Sequence, residues 1–164
     1  MGYGYAFTCA KCHHEYSVFL GDGMMYPEVF RSKLDEIASG DYGEERKKLL
    51  EQTEYAAVNA ANVVYICNSC NRWEVGTDVT LYAPNDPASI SKKQYGIKTV
   101  EEWGYVPYVS WYDLKQDYHV FKRYYHKCEK CGRRMHKASK SEEQNLPCPE
   151  CGEINETTGT IFWD

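Results

Sequence analysis

All eight cysteines of the sequence belong to Cys-x-x-Cys pairs, and no cysteine is left over. The pairs are Cys9/Cys12, Cys67/Cys70, Cys128/Cys131 and Cys148/Cys151. Two thiolates three positions apart can bind the same metal ion when the backbone between them turns tightly. Four pairs supply enough ligands for two ions with four thiolates each. The sequence therefore predicts two four-cysteine metal sites.

The residue that follows each second cysteine supports this interpretation. These residues are His13, Asn71, Gly132 and Gly152. Tight turns at metals commonly need a positive φ here, which glycine adopts freely and asparagine and histidine adopt more often than most residues. The motifs CEKCG and CPECG resemble the knuckles of zinc ribbons and rubredoxins. The resemblance implies two Zn²⁺ ions held in tetrahedral cages between β-hairpins, with iron as the alternative metal.

Disulfides and thiol redox chemistry are the alternatives for these cysteines. The start of the sequence, MGYGYAFTCAKC, has neither the basic beginning nor the long apolar run of a signal peptide. No apolar run approaches the ~18 residues of a membrane span. We therefore expect a soluble cytoplasmic protein, in a compartment that disfavours disulfides. A redox role would need a metal-free pair, such as Cys9 and Cys12 beside Lys11.

Chain entropy favours one grouping of the pairs. Joining neighbours along the chain closes loops of 54 and 16 residues, crossed joining closes loops of 115 and 77, and nested joining closes loops of 135 and 57. A closure cost of (3/2)RT ln n favours the neighbours by about 2 kcal/mol, a bias that tertiary packing can reverse. We therefore expect the first two pairs to hold one ion and the last two pairs to hold the other.

The rest of the chain predicts short strands and two helices. Pro27 suits a first helical turn, Phe30, Leu34 and Ile37 recur at helical spacing, and Gly40 ends the helix. A second helix is expected at 44–52. Strands are expected at YGYAFTC, EYSVFL, NVVYIC, DYHVFKRYYHKC and GTIFWD, and near 79–82. The predicted fold class is α+β, with two zinc-ribbon-like modules of short antiparallel strands, the first with a helical insertion.

Three consecutive segments follow from these assignments. They are an N-terminal zinc-knuckle module with a helical insertion (1–83), a connector and aromatic segment (84–117) and a C-terminal zinc ribbon (118–164). The order of the knuckles, together with LGDGMMYP and the terminal IFWD, resembles a family of small bacterial zinc-ribbon proteins. That resemblance implies an architecture and no activity. The tryptophans and tyrosines of 103–112 are expected in the core, or in a groove for a protein partner.

A basic region surrounds the third pair. The stretch KRYYHKCEKCGRRMHKASK (122–140) contains eight Lys or Arg and one Glu. Such a surface can bind single-stranded nucleic acid, with Lys122, Arg123, Tyr125, Lys130, Arg133 and Arg134 as the candidate residues. The alternative, which we favour, is charge compensation. Each zinc tetrathiolate carries about −2, so two sites change the formal charge of −5 to about −9.

Catalytic motifs are missing from the sequence, which has no HExxH, no GxSxG and no phosphate loop. His13 and Glu15 with PCPEC spell a zinc-deaminase signature, H-x-E…P-C-x-x-C. The two halves lie more than 130 residues apart, and a four-thiolate site leaves no position for an activated water. We expect a non-enzymatic protein with two structural zinc ions and a protein partner. Nucleic-acid binding is the alternative, and no membrane partner is expected.

Overall fold

The structure, a computed structural model, describes residues 2–164 as a mixed α/β protein with several small antiparallel sheets. The strands are β1 (Gly2–Thr8), β2 (Glu15–Leu20), β3 (Ala57–Val58), β4 (Asn62–Cys67), β5 (Arg72–Thr77), β6 (Leu81–Pro84), β7 (Gln94–Tyr95), β8 (Lys98–Thr99), β9 (Tyr118–Lys122), β10 (His136–Lys137), β11 (Asn145–Pro147), β12 (Ile154–Glu156) and β13 (Gly159–Trp163). The helices are α1 (Tyr26–Ser39), α2 (Glu44–Gln52), α3 (Pro87–Ser91), α4 (Val100–Trp103), α5 (Trp111–Gln116) and α6 (Lys140–Glu143). None of the described helices combines the length and hydrophobicity that crossing a bilayer requires.

Two compact units are built from discontinuous parts of the chain. The knuckle unit consists of the N-terminal stretch through Met24, Ala61–Thr77 and Tyr125–Asp164. The insert unit consists of Met25–Ala60 and Asp78–Tyr124. These units do not coincide with the three consecutive segments expected from the sequence. The reason is pairing between distant strands, since β1 pairs with β13 and β10 pairs with β4.

The knuckle unit contains two three-stranded sheets, in the orders β13-β1-β2 and β10-β4-β5, and the β11-β12 hairpin. Alternate residues of β1, Tyr5 and Phe7, are buried, as expected for a strand with one face on a core. They pack with Val18, Val64 and Leu146. The first and last strands of the chain therefore share one sheet.

Two of the sequence motifs meet in this unit. The indole of Trp163, in the IFWD motif, lies so close to Gly23, in LGDGMMYP, that a Cβ there would be 2.4 Å from the ring. The Trp163 Nε1–H donates to the carbonyl of Tyr3 at 3.0 Å. Nearby, Gly21 and Asn62 exchange two backbone hydrogen bonds of 2.8 and 2.9 Å. The chain therefore leaves and re-enters the knuckle unit at adjacent points.

The insert unit is built around α1 and the β3-β6-β9 sheet. Its core includes Phe30, Ile37 and Leu81, all fully buried. The buried guanidinium of Arg46 donates to the carbonyls of Val79 at 2.9 Å and Arg123 at 2.5 Å. Desolvation lowers the pKa of Arg46, and these carbonyls supply the hydrogen bonds that its buried cation needs. The side chain thus links α2 to both ends of the second insertion within this unit.

The two predicted helices are confirmed. Helix α1 has Pro27 in its first turn and ends at Gly40, whose φ of 94° is the left-handed conformation that glycine favours. Its buried residues include Phe30, Leu34 and Ile37, as the spacing predicts. Helix α2 spans the predicted 44–52, and β4 coincides with NVVYIC. The connector after β6 contains a helix that was not predicted, α3, which begins where the Asp86 side chain accepts from the Ala88 N–H at 3.1 Å.

The aromatic segment differs from the expectation that it lies in the core. Its valines, Val106 and Val109, are buried and fill the core of the insert unit. Its large aromatic residues are all between 37% and 60% exposed, namely Trp103, Tyr105, Tyr108, Trp111 and Tyr112. The short helices α4 and α5 bury Val100 and Leu114 and leave their aromatic side chains facing solvent.

Replacing Gly4 by alanine tests the close approach of β1 and β2. A Cβ at Gly4 would lie 2.2 Å from the Val18 carbonyl oxygen, so the two backbones would have to separate. We expect Gly4→Ala to lower the free energy of unfolding by about 1–3 kcal/mol, measured by urea denaturation of the metal-loaded protein.

The matched control is Gly159→Ala, in β13 of the same sheet, where a Cβ would meet no atom within 4 Å. We expect this change to stay within about 0.5 kcal/mol of wild type. Equal stability of the two variants would contradict the interpretation.

Candidate metal centres

The four Cys-x-x-Cys pairs adopt the same local turn. In each turn the residue after the second cysteine donates its backbone N–H to the carbonyl of the first cysteine, at 2.8–2.9 Å. The donors are His13 (φ 60°), Asn71 (φ 50°), Gly132 (φ 69°) and Gly152 (φ 76°). The positive φ predicted at all four positions is confirmed.

Antiparallel strands or bridges flank every knuckle. The first lies between β1 and β2, the second between β4 and β5, and the fourth between β11 and β12. The third is closed by a bridge between Lys127 and Arg134. Hydrogen bonds between the segments on both sides therefore hold each Cys-x-x-Cys loop in position.

The cysteines form two groups of four, as predicted. The first cluster contains Cys9, Cys12, Cys148 and Cys151, and the second contains Cys67, Cys70, Cys128 and Cys131. Within each cluster all four Sγ atoms lie within 4.8 Å of one another. The predicted grouping of sequence neighbours is wrong, because the first pair joins the fourth and the second joins the third. Both clusters belong to the knuckle unit.

The nested grouping differs from the grouping of sequence neighbours that loop-closure entropy favours, and the difference has a physical reason. The loop-closure estimate treats the chain between two pairs as a flexible loop. In the structure β1 pairs with β13, and the Thr158 N–H donates to the carbonyl of Ala6 at 2.8 Å. The first and fourth knuckles are therefore brought together by a sheet, whose several hydrogen bonds, at about 0.5–1.5 kcal/mol each, can exceed the ~2 kcal/mol bias.

The sulfur positions fit a tetrahedral metal. The Sγ–Sγ distances are 3.5 Å for Cys9–Cys151, 3.7 Å for Cys12–Cys148 and 3.6 Å for Cys67–Cys131. Four sulfurs at ~2.3 Å from a central zinc would be about 3.8 Å apart in a tetrahedron. All eight cysteines are free thiols in the structure, with no disulfide between them. Each cluster is placed to hold one metal ion.

Buried polar groups support the first cluster. Asn155 is 6% exposed, accepts from the Ala10 N–H at 3.0 Å and donates to the Glu153 carbonyl at 2.8 Å. It thereby ties the first knuckle to the fourth. The indole N–H of Trp73 donates to the Pro147 carbonyl at 2.8 Å, just before Cys148. Sequence reasoning missed both side chains, because their roles depend on contacts between distant segments.

A carboxylate supports the second cluster. One oxygen of Glu74 accepts from the Glu129 N–H at 3.2 Å, inside the third knuckle, and the other lies 2.9 Å from His126 Nε2. The Arg133 guanidinium donates to the Ser69 hydroxyl at 2.8 Å, which links the third knuckle to the second. Neither His126 nor His136 is a member of a cluster. Each of them contacts a carboxylate instead, His126 that of Glu74 and His136 that of Glu142, the latter at 2.9 Å from Nε2.

The surroundings of the cysteines lower the pKa of some thiols and raise that of others. Backbone N–H groups, that of Cys12 first, lower the pKa of Cys9 to about 6 despite its burial. The thiol of Cys131, together with burial, raises the pKa of Cys70 to about 12. Four crowded thiols therefore cannot all ionise on their own at neutral pH. A bound cation that displaces the protons would remove that conflict.

The first cysteine of every pair is buried, while Cys12, Cys131 and Cys151 are exposed and Cys70 is half-buried. Each cluster thus has one face toward the interior of the knuckle unit and one toward solvent. All four donors of each cluster are sulfur atoms, so an ion held by all four would have a complete tetrahedral coordination.

The six predicted nucleic-acid residues are divided between the units. Lys122 and Arg123 belong to the insert unit, where Lys122 pairs with Glu45 at 2.5 Å. The other four belong to the knuckle unit, namely Tyr125, Lys130, Arg133 and Arg134. The Arg134 guanidinium lies 3.1 Å from the centroid of the Tyr125 ring.

A groove of about 370 Å³ lies between the two clusters within the knuckle unit, and Cys70 and Cys148 both line it. Its charged residues are Arg72 and Lys130, and its aromatic residue is Trp73. Neither Arg72 nor Trp73 is among the binding residues predicted from the sequence. Their position directly after the second knuckle is the signal that would have found them.

Comparison with known proteins returned no match for this chain, whether to family models, to curated proteins or to solved structures. The assignment of metal binding therefore depends on the geometry of the two clusters. The resemblance to zinc-ribbon proteins stays a prediction from the motifs.

Two double variants test the nested grouping. Cys9→Ser with Cys148→Ser removes two ligands from the first cluster only, so we expect the second to keep its ion and about half of the metal to remain. Cys9→Ser with Cys67→Ser damages both clusters, so no four-thiolate site should remain. Metal content and the sulfur-to-cobalt charge-transfer absorption of cobalt-loaded protein report the number of intact sites.

Neighbour grouping would exchange the two results, and crossed grouping would damage both sites in both variants. Only the nested arrangement leaves one intact site in the first variant and none in the second.

Proposed function

We propose that the protein binds two structural zinc ions, one in each cluster, and acts as a non-enzymatic scaffold for a protein partner. The observation that carries the metal assignment is the convergence of four cysteine sulfurs within 4.8 Å in each cluster. Zinc suits a site of four thiolates because it is tetrahedral, binds sulfur well and has no redox chemistry. Iron fits the same cage and is the alternative metal.

The proposed role of the ions is structural because of the donor set. Catalytic zinc sites keep a coordination position for water or substrate, whereas four cysteines fill the tetrahedron. The knuckle unit also has the smaller core among the described residues. Seven buried residues form it, compared with fifteen in the core of the insert unit. Metal ions can replace the stabilisation that a small core does not supply.

Elemental analysis and hydrogen exchange test the zinc assignment. We expect close to two zinc ions per chain in the purified protein. Removing them with a chelator under reducing conditions should reduce amide protection in β1 and β4 by at least ~100-fold, because the nested clusters join these hairpins to the rest of the knuckle unit. Amides of α1, which lies in the insert unit, should lose less protection.

Fewer than one metal ion per chain would exclude the two-site proposal. Unchanged protection of β1 after complete metal removal would exclude a structural role for the ions.

Exposed aromatic residues support the scaffold role. Five tryptophans and tyrosines between Trp103 and Tyr112 are at least 37% exposed, and Ile97 is 92% exposed. Large apolar side chains gathered on a surface are typical of protein interaction sites, where aromatic residues often supply most of the binding energy. The metal clusters are in the other unit, so they do not account for these side chains.

Binding of single-stranded nucleic acid by the knuckle unit is a second candidate function. The groove that contains Arg72, Trp73 and Lys130 favours it, since cations beside an aromatic ring suit phosphates and bases. The stack of Arg134 on Tyr125 is a second such pair in this unit. Against it, the same cations offset the charge of two zinc tetrathiolates, and the whole chain is acidic.

A fluorescein-labelled 20-nucleotide oligothymidine tests this second function by fluorescence anisotropy. We expect affinity to fall about tenfold or more between 50 and 200 mM salt if a few phosphates are contacted. Arg72→Glu with Lys130→Glu, which reverses both cations of the groove, should weaken binding at low salt by about tenfold or more. Lys47→Glu with Lys48→Glu, the same charge change on α2 of the insert unit, is the control. Equal binding by the two variants would eliminate this function.

A further inference from the structure

Three exposed rings of the insert unit and the half-buried ring of Tyr95 form a connected surface. The Tyr95 and Tyr108 rings meet edge to face at 5.1 Å, and those of Trp103 and Tyr105 lie 5.9 Å apart. The Trp103 indole N–H donates to the Tyr95 carbonyl at 3.2 Å, which joins the two pairs. We call these four residues the aromatic surface.

This surface is held in place before any partner binds. Helix α4 begins with a capping box, in which the side chains of Thr99 and Glu102 satisfy each other's backbone N–H groups. The β7-β8 hairpin fixes Tyr95 beside this helix, and Ile97 lies at its tip. Ordered aromatic side chains bind partners at a low entropic cost.

An acidic groove continues from the aromatic surface at Tyr105. The groove follows α1, has a volume of about 690 Å³ and is lined by Tyr105, Pro27 and Pro107 on its apolar part. Its charged residues are four carboxylates and one cation, namely Glu28, Asp35, Glu36, Asp41 and Arg31. The lining therefore carries a net negative charge.

Local ion pairs neutralise only part of that charge. Arg31 pairs with Asp35 at 3.5 Å, and Lys33 pairs with Glu36 at 2.8 Å. Glu28 and Asp41 form no ion pair with any described residue. A cation that enters the groove would therefore meet carboxylates without partners of their own.

The rings attract cations from their own chain as well. The Arg31 guanidinium lies 4.6 Å from the centroid of Tyr105, and the Lys98 ammonium lies 5.1 Å from that of Trp103. One cation of the chain therefore already lies over each of these two rings. The carboxylates therefore favour positively charged side chains, and the exposed part of the Tyr105 ring offers an apolar contact.

We propose that the groove along α1 and the aromatic surface bind a short basic segment of a partner protein. Lysine or arginine side chains of the segment lie along Glu28 and Asp41, and its proline or other apolar side chains pack on Tyr105. The proposal rests on the scaffold function and specifies the chemistry of the partner. A nucleic acid does not fit, because its phosphates would face the carboxylates.

Selection from a phage-displayed library of random decapeptides tests the proposal with the full-length, zinc-loaded protein. We expect the enriched peptides to contain at least twofold more lysine and arginine than the input library. Titration of an enriched peptide should shift the backbone amide signals of Arg31, Asp35 and Tyr105 in NMR spectra. Failure to enrich any peptide, or enrichment of acidic or uncharged ones, would overturn the proposal.

Three variants localise the binding. Glu28→Lys with Asp41→Lys should weaken an enriched peptide by about tenfold or more, since two attractions become repulsions. Tyr105→Ser should weaken it by about fivefold without a change of charge in the groove. Glu51→Lys, on the exposed part of α2, is the control and should bind as wild type does.

Affinities of both groove variants within twofold of the control would refute the groove as the binding site. Metal content is measured on every sample, so that a variant that has lost zinc is recognised as a failure of the metal sites and is not counted as a failure of peptide binding. A protein with two zinc ions and no peptide binding would separate the failure of this inference from that of the metal assignment.

Discussion

The arrangement of the knuckle unit depends on crowding four sulfur atoms around one point, twice. Thiolates within 4.8 Å of one another repel, and the neighbouring thiol of Cys131 together with burial raises the pKa of Cys70. Backbone N–H groups act in the opposite direction at Cys9. A bound metal cation would resolve this conflict, so folding of the unit and metal binding are expected to be linked. The sheets, the Asn155 contacts and the Glu74 contacts then hold the knuckles at the spacing that the ion requires.

Nested grouping of the pairs gives the chain an unusual route. The outer pairs, near the two ends of the sequence, meet because β1 and β13 share a sheet, and the inner pairs meet between them along the sequence. Both long segments that leave the knuckle unit contribute to the insert unit. Within that unit, the β3-β6-β9 sheet and the buried Arg46 bring the ends of the insertions together. The metal sites are thus made from parts of the chain that are far apart in sequence.

Four cysteines in each cluster would complete the coordination of a bound ion. An ion bound by four cysteines stabilises a fold and leaves no position for a substrate. The two units offer surfaces of opposite character. The knuckle unit has a groove with Arg72 and Lys130, whereas the insert unit has an acidic groove beside exposed rings. Charge therefore distinguishes the two proposed ligands, since a polyanion would suit the groove of the knuckle unit and a basic peptide that of the insert unit.

The sequence by itself determined the features that depend on residues close together in the chain. The positive φ at His13 and Asn71, the extent of α2 and the strand at NVVYIC follow from local backbone preferences and side-chain periodicity. Only the tertiary structure decided which pairs share an ion, since strand pairing across the whole chain outweighs a bias of ~2 kcal/mol from loop closure. It also decided that Val106 and Val109, between α4 and α5, are buried while Trp111 of α5 stays exposed. Which of these side chains is buried depends on the elements that pack against this part of the chain. Composition reveals an excess of aromatic residues, and the positions of the other elements determine which of them reach solvent.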